Sequence, residues 1–286
     1  MEKSDGWKGL GDKRLSRRRL LMDAASVGAG LATLSLVGCE EQGQAPVRPS
    51  ATPAAVSSTG AAEASPAAVQ ATPTQEVSTP VVEKMLPIAL PAPRLKGDMS
   101  LEEAISKRRS RREFKDSPLT LEQVSQILWA AQGITDPGGL RAAPSAGALY
   151  PLDLYLVVGR RGVKGLVESA YHYDPRGHAL ERILEGDVRE AVARVAVEQM
   201  FIAEAPVILV ITGEYERTTW KYSDRGLRYV HMEAGHAAQN VYLQAEALGL
   251  GTVTAGAFQD EELSRTLGLP TERRPLYVMP IGHPAA

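Results

Sequence analysis

The run YVHMEAGHAAQNVYLQAEALGLGT, residues 229–252, carries the clearest structural pattern of this 286-residue chain. Its apolar residues recur every three or four positions, which predicts one long helix from about Tyr229 to Leu248. Another face of the helix is polar, so we expect a central helix that packs on the core and also makes polar contacts. The apolar stripe is Val230, Ala234, Ala237, Val241, Ala245 and Leu248, and the polar face is Glu233, His236, Asn240 and Gln244.

Two features of this run suggest ligands at first sight and are better explained locally. His231 and His236 are five residues apart, so they point about 140° from each other on a helix, whereas chelation of a metal favours a spacing of four. We therefore predict no metal site. Residues 249–251, Gly-Leu-Gly, resemble part of a dinucleotide fingerprint, but that motif follows a strand and opens a helix. Here the order is reversed, and Gly249 is expected to end the helix.

The flanking segments predict a domain of mixed helices and strands. Ser100 with Glu103 predicts a helix start, and the helix should run through Arg108. Thr120 with Gln123 predicts the start of a second helix, and a Pro-Gly turn in residues 171–178 predicts a hairpin. Strands are expected at residues 152–158, 207–212, 251–255 and 276–281, and the uninterrupted apolar run of the second indicates a buried central strand.

The N-terminal residues have the composition of an export signal. A basic segment at 13–19 precedes an apolar stretch at 20–38. Residues 16–22, Ser-Arg-Arg-Arg-Leu-Leu-Met, resemble the twin-arginine signal, and Leu-Val-Gly-Cys at 36–39 resembles a lipobox. We expect residues 1–39 to direct twin-arginine export and Cys39 to be acylated, which would tether the protein outside the cytoplasm by a lipid anchor only. A plain N-terminal membrane anchor is the alternative.

Cys39 is the only cysteine of the chain. An internal disulfide, a thiolate zinc site and a cysteine nucleophile are therefore excluded from the residues that follow it. Residues 40–97 are dominated by Ala, Pro, Ser, Thr and Val, which predicts a disordered linker, with a structured Pro-rich stalk as the alternative. Residues 98–286 are predicted to form one globular domain. We expect no nucleic-acid partner.

Two further segments suggest a bound anion and a flat ligand. Residues 106–114, Ser-Lys-Arg-Arg-Ser-Arg-Arg-Glu-Phe, place four guanidinium groups and a hydroxyl at the predicted end of the first helix, and such forks suit phosphate oxygens. Residues 144–151, Pro-Ser-Ala-Gly-Ala-Leu-Tyr-Pro, have small side chains that permit close backbone approach to a ligand. A solvated basic loop and an ordinary turn are the alternatives.

In this order the segments resemble the nitroreductase superfamily of flavoproteins, and within it the SagB-type dehydrogenases. The resemblance covers nearly all of residues 98–284. It implies an α+β fold, with a mixed central sheet flanked by helices, and FMN bound noncovalently at a homodimer interface. It is carried by residues 108–114, 144–151, 228–240 and 249–252.

The resemblance also assigns roles to individual residues. Residues that would hold the FMN phosphate, ribityl chain and pyrimidine edge are Arg108, Ser110 and Arg112, with Arg109 sharing the phosphate. Residues that would lie along the isoalloxazine are Pro144, Ser145, Ala146 and Gly147, and those that would approach from the strand after the long helix are Thr254, Ala255 and Gly256. Lys221 and Tyr222 match the catalytic Lys-Tyr pair of azoline-oxidising relatives, although an exposed surface pair is an equal alternative.

The resemblance implies an FMN-dependent enzyme that transfers two electrons between a small-molecule donor and an acceptor. Three functional classes remain open from the sequence. They are a reductase of quinones or nitro compounds, a dehydrogenase of a heterocycle or other small substrate, and a nonenzymatic flavin-binding or electron-relay lipoprotein. The Lys221-Tyr222 pair favours the dehydrogenase.

Overall fold

Seven strands form one sheet in the computed structural model, which describes residues 86–285. Their order across the sheet is β1-β4-β3-β2-β5-β7-β6, and every neighbouring pair is antiparallel. The α+β class is confirmed, but the expectation of a mixed sheet is wrong for these strands, since parallel pairing occurs only in isolated bridges. The strands are Ile88–Ala89 (β1), Leu152–Val158 (β2), Ser169–Asp174 (β3), Ala179–Glu185 (β4), Val207–Gly213 (β5), Gly251–Thr252 (β6) and Arg274–Gly282 (β7).

Helices cover both faces of the sheet. The second and sixth helices pack on one face of the sheet, and shorter helices pack on the other face. β5 is buried along its whole length, as its apolar run predicts. The successive residues Leu209 and Val210 of β5 belong to the cores on opposite faces of the sheet. The helices are Leu101–Lys107 (α1), Leu121–Gln132 (α2), Arg189–Val195 (α3), Phe201–Glu204 (α4), Glu216–Tyr222 (α5), Arg225–Ala247 (α6) and Asp260–Leu267 (α7).

The long helix α6 is confirmed and is longer than predicted. It begins at Arg225, four residues before the expected start, and it ends at Ala247 with Gly249 just beyond it at φ +67°. The predicted helix starts are also present. The Thr120 side chain accepts from the Gln123 backbone and the Gln123 side chain accepts from the Thr120 backbone, which completes a capping box at α2.

The predicted boundary between linker and domain lies too late in the chain. β1 pairs with β4, the Leu90 amide donates to the His178 carbonyl at 3.0 Å, and the Arg94 amide donates to Gln126 at 2.8 Å. The folded domain therefore includes residues ahead of position 98. The export signal, Cys39 and most of the predicted linker lie outside the described residues. Within residues 86–285, no helix combines the length and apolar character that a membrane span requires.

β6 is shorter than the predicted strand. It covers Gly251–Thr252, whereas Ala255 forms a separate bridge with Val278 of β7. The chain between them leaves the sheet at residues 253 and 254 and returns at 255. This departure places Thr254 beside α6, where it takes part in the site described next.

Candidate functional site

The basic segment after α1 is held in place by its backbone. Ser110 forms a parallel bridge with Thr252, and the Arg111 amide donates to the Thr252 carbonyl at 2.9 Å. We call residues 108–112 the basic arm. Successive side chains of an extended chain point to opposite sides, so Arg108, Ser110 and Arg112 share one side of the arm. A Cβ on Gly251 would lie 2.8 Å from the Arg111 Cβ, so this glycine permits the close approach.

Tyr242 of α6 joins the basic arm to Thr254. Its phenol oxygen lies 3.2 Å from the Ser110 Oγ and accepts a hydrogen bond from the Thr254 amide at 2.8 Å. The Arg108 guanidinium carbon lies 5.2 Å from the centroid of the Tyr242 ring. Burial alone would raise the pKa of Tyr242, but the hydrogen bonds with Ser110 and Thr254 and the charge of Arg108 hold it below its ordinary value. The sequence did not indicate a role for Tyr242, because this residue follows Val241 of the apolar stripe and is not part of the polar face.

The arginines of the arm have different surroundings. The exposed Arg112 guanidinium carbon lies 5.8 Å from the Phe201 ring centroid. Arg109 donates to the carbonyls of Ser106 and Arg108, at 3.0 and 2.8 Å, and so caps the end of α1. In this position Arg109 serves the helix end, while Arg108 and Arg112 present charge to the side that carries Ser110. The role of Arg109 in phosphate binding stays a prediction.

The residues predicted beyond β6 lie in different environments. Thr254 is half-buried at Tyr242, Ala255 is buried in the core and pairs with Val278, and Gly256 is exposed. Thr252, next to the arm, is buried, and its hydroxyl has no hydrogen-bond partner among the described residues. The arm, Tyr242 and Thr254 therefore form one surface, with an unsatisfied hydroxyl beneath it.

The small-residue segment is a tight turn with unusual backbone angles. Gly147, Ala148 and Tyr150 have φ values of +64°, +55° and +48°, of which the last two are costly for residues with a Cβ. Ser145 holds the turn together, because its hydroxyl accepts from the Tyr150 amide at 2.9 Å. We call residues 144–150 the tight loop. Pro144, Ser145, Ala146 and Gly147, the predicted flavin-facing residues, are all exposed or half-buried.

Lys221 and Tyr222, at the end of α5, meet over the tight loop. A Cβ on Gly147 would lie 2.8 Å from the Tyr222 Oη and 2.9 Å from the Lys221 Nζ. Lys221 Nζ lies 5.5 Å from the Tyr222 ring centroid, and Tyr222 packs edge-on against Tyr229 with ring centroids 5.1 Å apart. The structure therefore brings the predicted catalytic pair together with the predicted flavin loop.

A buried polar cluster supports the tight loop from inside. Glu233 is 2% exposed, and its Oε1 has no hydrogen-bond partner among the described residues. Burial raises its pKa to about 7, against the opposing effects of hydrogen bonds with Ser145 and Gln132 and of the Arg141 charge. Arg141 donates to Gln132 at 2.8 Å, and its guanidinium carbon lies 4.8 Å from the Tyr150 ring centroid. Glu233 was predicted only as part of a polar helix face.

The arm and the tight loop lie against different faces of α6. The arm contacts Tyr242, whereas the tight loop contacts Glu233, nine residues earlier. Nine residues at about 100° each amount to half a turn beyond two full turns, so the two side chains leave the helix in nearly opposite directions. Within one subunit, the predicted flavin-binding residues therefore form two surfaces rather than one pocket.

The two histidines of α6 lie in different surroundings. His231 lies 2.6 Å from the Tyr215 hydroxyl, and His236 is exposed. Among residues 86–285, no group of three or more His, Cys, Asp or Glu side chains is placed to hold a metal ion.

Comparison with known proteins places these observations in a family. A model of the nitroreductase family matches residues 105–283. A Methanocaldococcus jannaschii protein that carries the name of a nitroreductase is 52% identical over 185 residues, which are 65% of this chain and 91% of that protein. The crystal structure of a Ralstonia eutropha protein described as a nitroreductase superposes with a TM-score of 0.62 at 32% identity, covering 70% of this chain and 90% of that one.

A more distant relative has a processing function by name. The microcin B17-processing protein McbC of Escherichia coli is 27% identical over 155 residues. The match covers 53% of this chain and 57% of that protein. Similarity therefore extends to a microcin-processing protein, but at a much lower identity than to the M. jannaschii protein.

Proposed function

The chain belongs to the nitroreductase family, and we propose that it is an FMN-dependent oxidoreductase that transfers two electrons between a small organic substrate and an acceptor. The observation that carries the proposal is the meeting of Lys221 and Tyr222 over Gly147. It joins a proton-transferring pair to a strained loop of small residues that a flat ring can approach closely.

The basic arm fits the phosphate end of FMN. Arg108 and Arg112 supply fixed positive charge, Ser110 supplies a hydroxyl, and the backbone bridge to Thr252 holds all three in place. The unsatisfied Thr252 hydroxyl offers a further hydrogen-bonding group below the arm. When bound, FMN supplies hydride transfer to or from its ring.

We propose that the complete site requires a second copy of this chain. The arm and the tight loop occupy opposite faces of α6, so a pocket lined by both needs the tight loop of one subunit beside the arm of another. Large apolar side chains are exposed on α1 and α6, where Leu101, Ile105 and Met232 are 61%, 56% and 51% exposed. Such side chains favour burial against a partner.

The substrate side of the proposal concerns Lys221 and Tyr222. Their polar ends lie beside the tight loop, and their proposed role is to take a proton from a substrate carbon while a hydride leaves the same molecule. This chemistry favours a SagB-type dehydrogenase, and the similarity to McbC supports it. The reduced protein would then pass its electrons to a quinone or another acceptor.

We also propose that this oxidoreductase acts outside the cytoplasm, tethered through Cys39. The proposal rests on the twin-arginine motif at residues 16–22 and on the lipobox that ends at Cys39. Twin-arginine export carries folded proteins, which suits a protein that acquires its cofactor before export.

The first test is to purify the full chain and to record its visible spectrum and the mass of any released chromophore. We expect an absorption band near 450 nm, typical of oxidised flavin, and the mass of FMN. Anaerobic mixing with NADPH and with a thiazoline ester would then separate the reductase from the dehydrogenase. A colourless protein that also refuses added FMN would contradict the proposal, and flavin binding without turnover by any donor would support a flavin-binding protein instead.

A further inference from the structure

A half-buried ionic cluster lies at the start of α5, apart from the residues discussed so far. Asp153 of β2 receives two arginines at the same oxygen, Oδ2, with Arg217 at 3.0 Å and Arg273 at 2.9 Å. Glu214 contacts the same two arginines, at 2.7 and 3.1 Å. His172 Nε2 lies 3.3 Å from the other oxygen of Asp153.

The cluster is balanced in charge and held mainly by Coulomb attraction. Two carboxylates face two guanidinium groups, and the Asp153 side chain is only 12% exposed. Asp153 Oδ2 has ion-pair contacts but no hydrogen bond of good alignment among the described residues. Burial would raise the pKa of Asp153, but the hydrogen bond with His172 and the charges of Arg217 and Arg273 hold it below its ordinary value.

Arg217 extends this cluster to the tight loop. Besides its two carboxylate partners, its guanidinium donates to the carbonyl of Tyr150 at 3.3 Å. Tyr150 ends the tight loop with a left-handed φ, and its amide donates to Ser145. One side chain of α5 is therefore connected to the sheet, through Asp153, and to the loop, through Tyr150.

Arg217 is also close to the predicted catalytic pair along its helix. Lys221 follows it by four residues, so the two side chains share one face of α5 about 6 Å apart along the axis. The end of Lys221 lies at Gly147, three residues before Tyr150. Arg217 and Lys221 thus connect the same helix to the end and to the middle of the same loop.

We infer that Arg217 is a positioning residue, which holds α5 and the tight loop in the register that brings Lys221 and Tyr222 over Gly147. The inference rests on the proposed function, because this register matters only if Lys221 and Tyr222 act on a substrate. Proton transfer requires its groups to stand within hydrogen-bond reach of the substrate, and a misplacement of about 1 Å costs roughly a hundredfold in rate.

Because Arg273 contacts the same carboxylates, the positioning role of Arg217 can be tested in a protein that is still folded. In an Arg217→Gln variant, Arg273 still contacts both Asp153 and Glu214, so neither carboxylate is left without a cation. The variant should therefore stay folded but lose some stability, because two carboxylates would share one cation, while the contact between α5 and the Tyr150 carbonyl is weakened. Arg217→Lys keeps a charge near Asp153 but lacks the fork that reaches several acceptors at once.

The test is a set of flavin-reduction rates in the FMN-loaded full chain, with methyl 2-phenylthiazoline-4-carboxylate as the donor under anaerobic conditions. We expect Arg217→Gln to keep its FMN and to lower the limiting rate by about tenfold or more, with little change in half-saturation, and Arg217→Lys to be intermediate. In a Lys221→Ala/Tyr222→Phe background, Arg217→Gln should have almost no further effect, since both groups that it positions are absent. Glu216→Gln, on an exposed side of the same helix, is the matched control and should keep the wild-type rate.

The outcomes separate this inference from the proposed function. A normal rate in Arg217→Gln, together with a slow Lys221→Ala variant, would overturn the positioning role and leave the proposed function intact. Equal slowing by Arg217→Gln with the Lys221-Tyr222 pair intact and in the Lys221→Ala/Tyr222→Phe background would also overturn the inference, because the effect would not pass through the pair. A wild-type protein that the thiazoline does not reduce, or a Lys221→Ala variant with the wild-type rate, would remove the catalytic pair and the inference with it.

Discussion

The basic arm and the tight loop reach their positions by opposite means. The arm is fixed by backbone pairing with Thr252, while Arg109 and Arg112 are exposed and Arg108 is half-buried. The tight loop has strained backbone angles, and buried or half-buried side chains hold it. Side chains of the arm should therefore be replaceable with little loss of stability but large loss of binding. In the tight loop, substitutions should disturb geometry before they disturb affinity.

The strongest test of this contrast removes charge from the arm. Arg108→Ala combined with Arg112→Ala should abolish the yellow colour on purification, because the phosphate would lose both of its fixed cations. The thermal midpoint should change little, since neither guanidinium lies in the core. The measurement is the flavin-to-protein absorbance ratio. Retention of one FMN per subunit would reject the phosphate role of the arm.

The next largest effect is expected at Gly147. In Gly147→Ala, the new methyl group would meet the ends of Lys221 and Tyr222 and displace both, and flavin reduction by the thiazoline should slow about tenfold while FMN is retained. Gly165→Ala is a matched control, because Gly165 also has a positive φ, of +84°, but open space around it. The positive φ alone should cost each variant about 1 to 2 kcal/mol of stability. Equal rates in the two would mean that the contact with Lys221 and Tyr222 has no role.

A pH-dependent effect is expected from Glu233. Burial raises the pKa of Glu233 in the folded protein to about 7, above its ordinary value. At pH values between the ordinary and the raised pKa, the folded state therefore binds more protons than the unfolded state. Stability should therefore fall as the pH rises from about 4.5 to about 7, by about 1 to 3 kcal/mol. Glu233→Gln, which stays neutral, should lack this fall, whereas Glu216→Gln should keep it. Denaturant titrations at several pH values measure the slope, and identical slopes in all three proteins would contradict the assignment.

The smallest effect is expected at Tyr242. Tyr242→Phe removes the hydroxyl that contacts Ser110 and the Thr254 amide but keeps the ring beneath Arg108. We expect FMN affinity to fall only a few-fold and stability by about 1 kcal/mol. Adding Ser110→Ala should cost less in the variant than in the wild type, as fluorescence titration with FMN would show. Fully additive losses would mean that the two hydroxyl groups act independently.

Local sequence patterns predicted most of the elements that surround these regions. The capping box of α2, the buried strand β5 and the helix end before Gly249 each depend on residues close in sequence. The N-terminal boundary was wrong for a physical reason. A strand of two residues between prolines has little local signal, and its stability comes from pairing with β4, about ninety residues later.

The site was predicted in its residue types but not in its arrangement. Ser110 and Tyr242 are 132 residues apart, and nothing near Tyr242 in sequence indicates a phenol that joins the arm to Thr254. Arg217 likewise has no local signal, because its partners Asp153 and Tyr150 approach through the sheet and the tight loop. Long-range contacts of this kind depend on the finished fold, so the motifs identify candidates and the tertiary structure decides which of them meet.

The position of β1 separates two ends of the molecule. β1 and β6 occupy the opposite edges of the sheet, and six strand spacings put them about 29 Å apart. β6 borders the basic arm, whereas the chain enters the described fold next to β1. Anything fused or attached ahead of Leu86 thus joins the domain at the edge remote from the arm. An affinity tag or a surface linkage placed there should leave cofactor loading undisturbed, which makes the N-terminal side the preferred point for immobilising the protein.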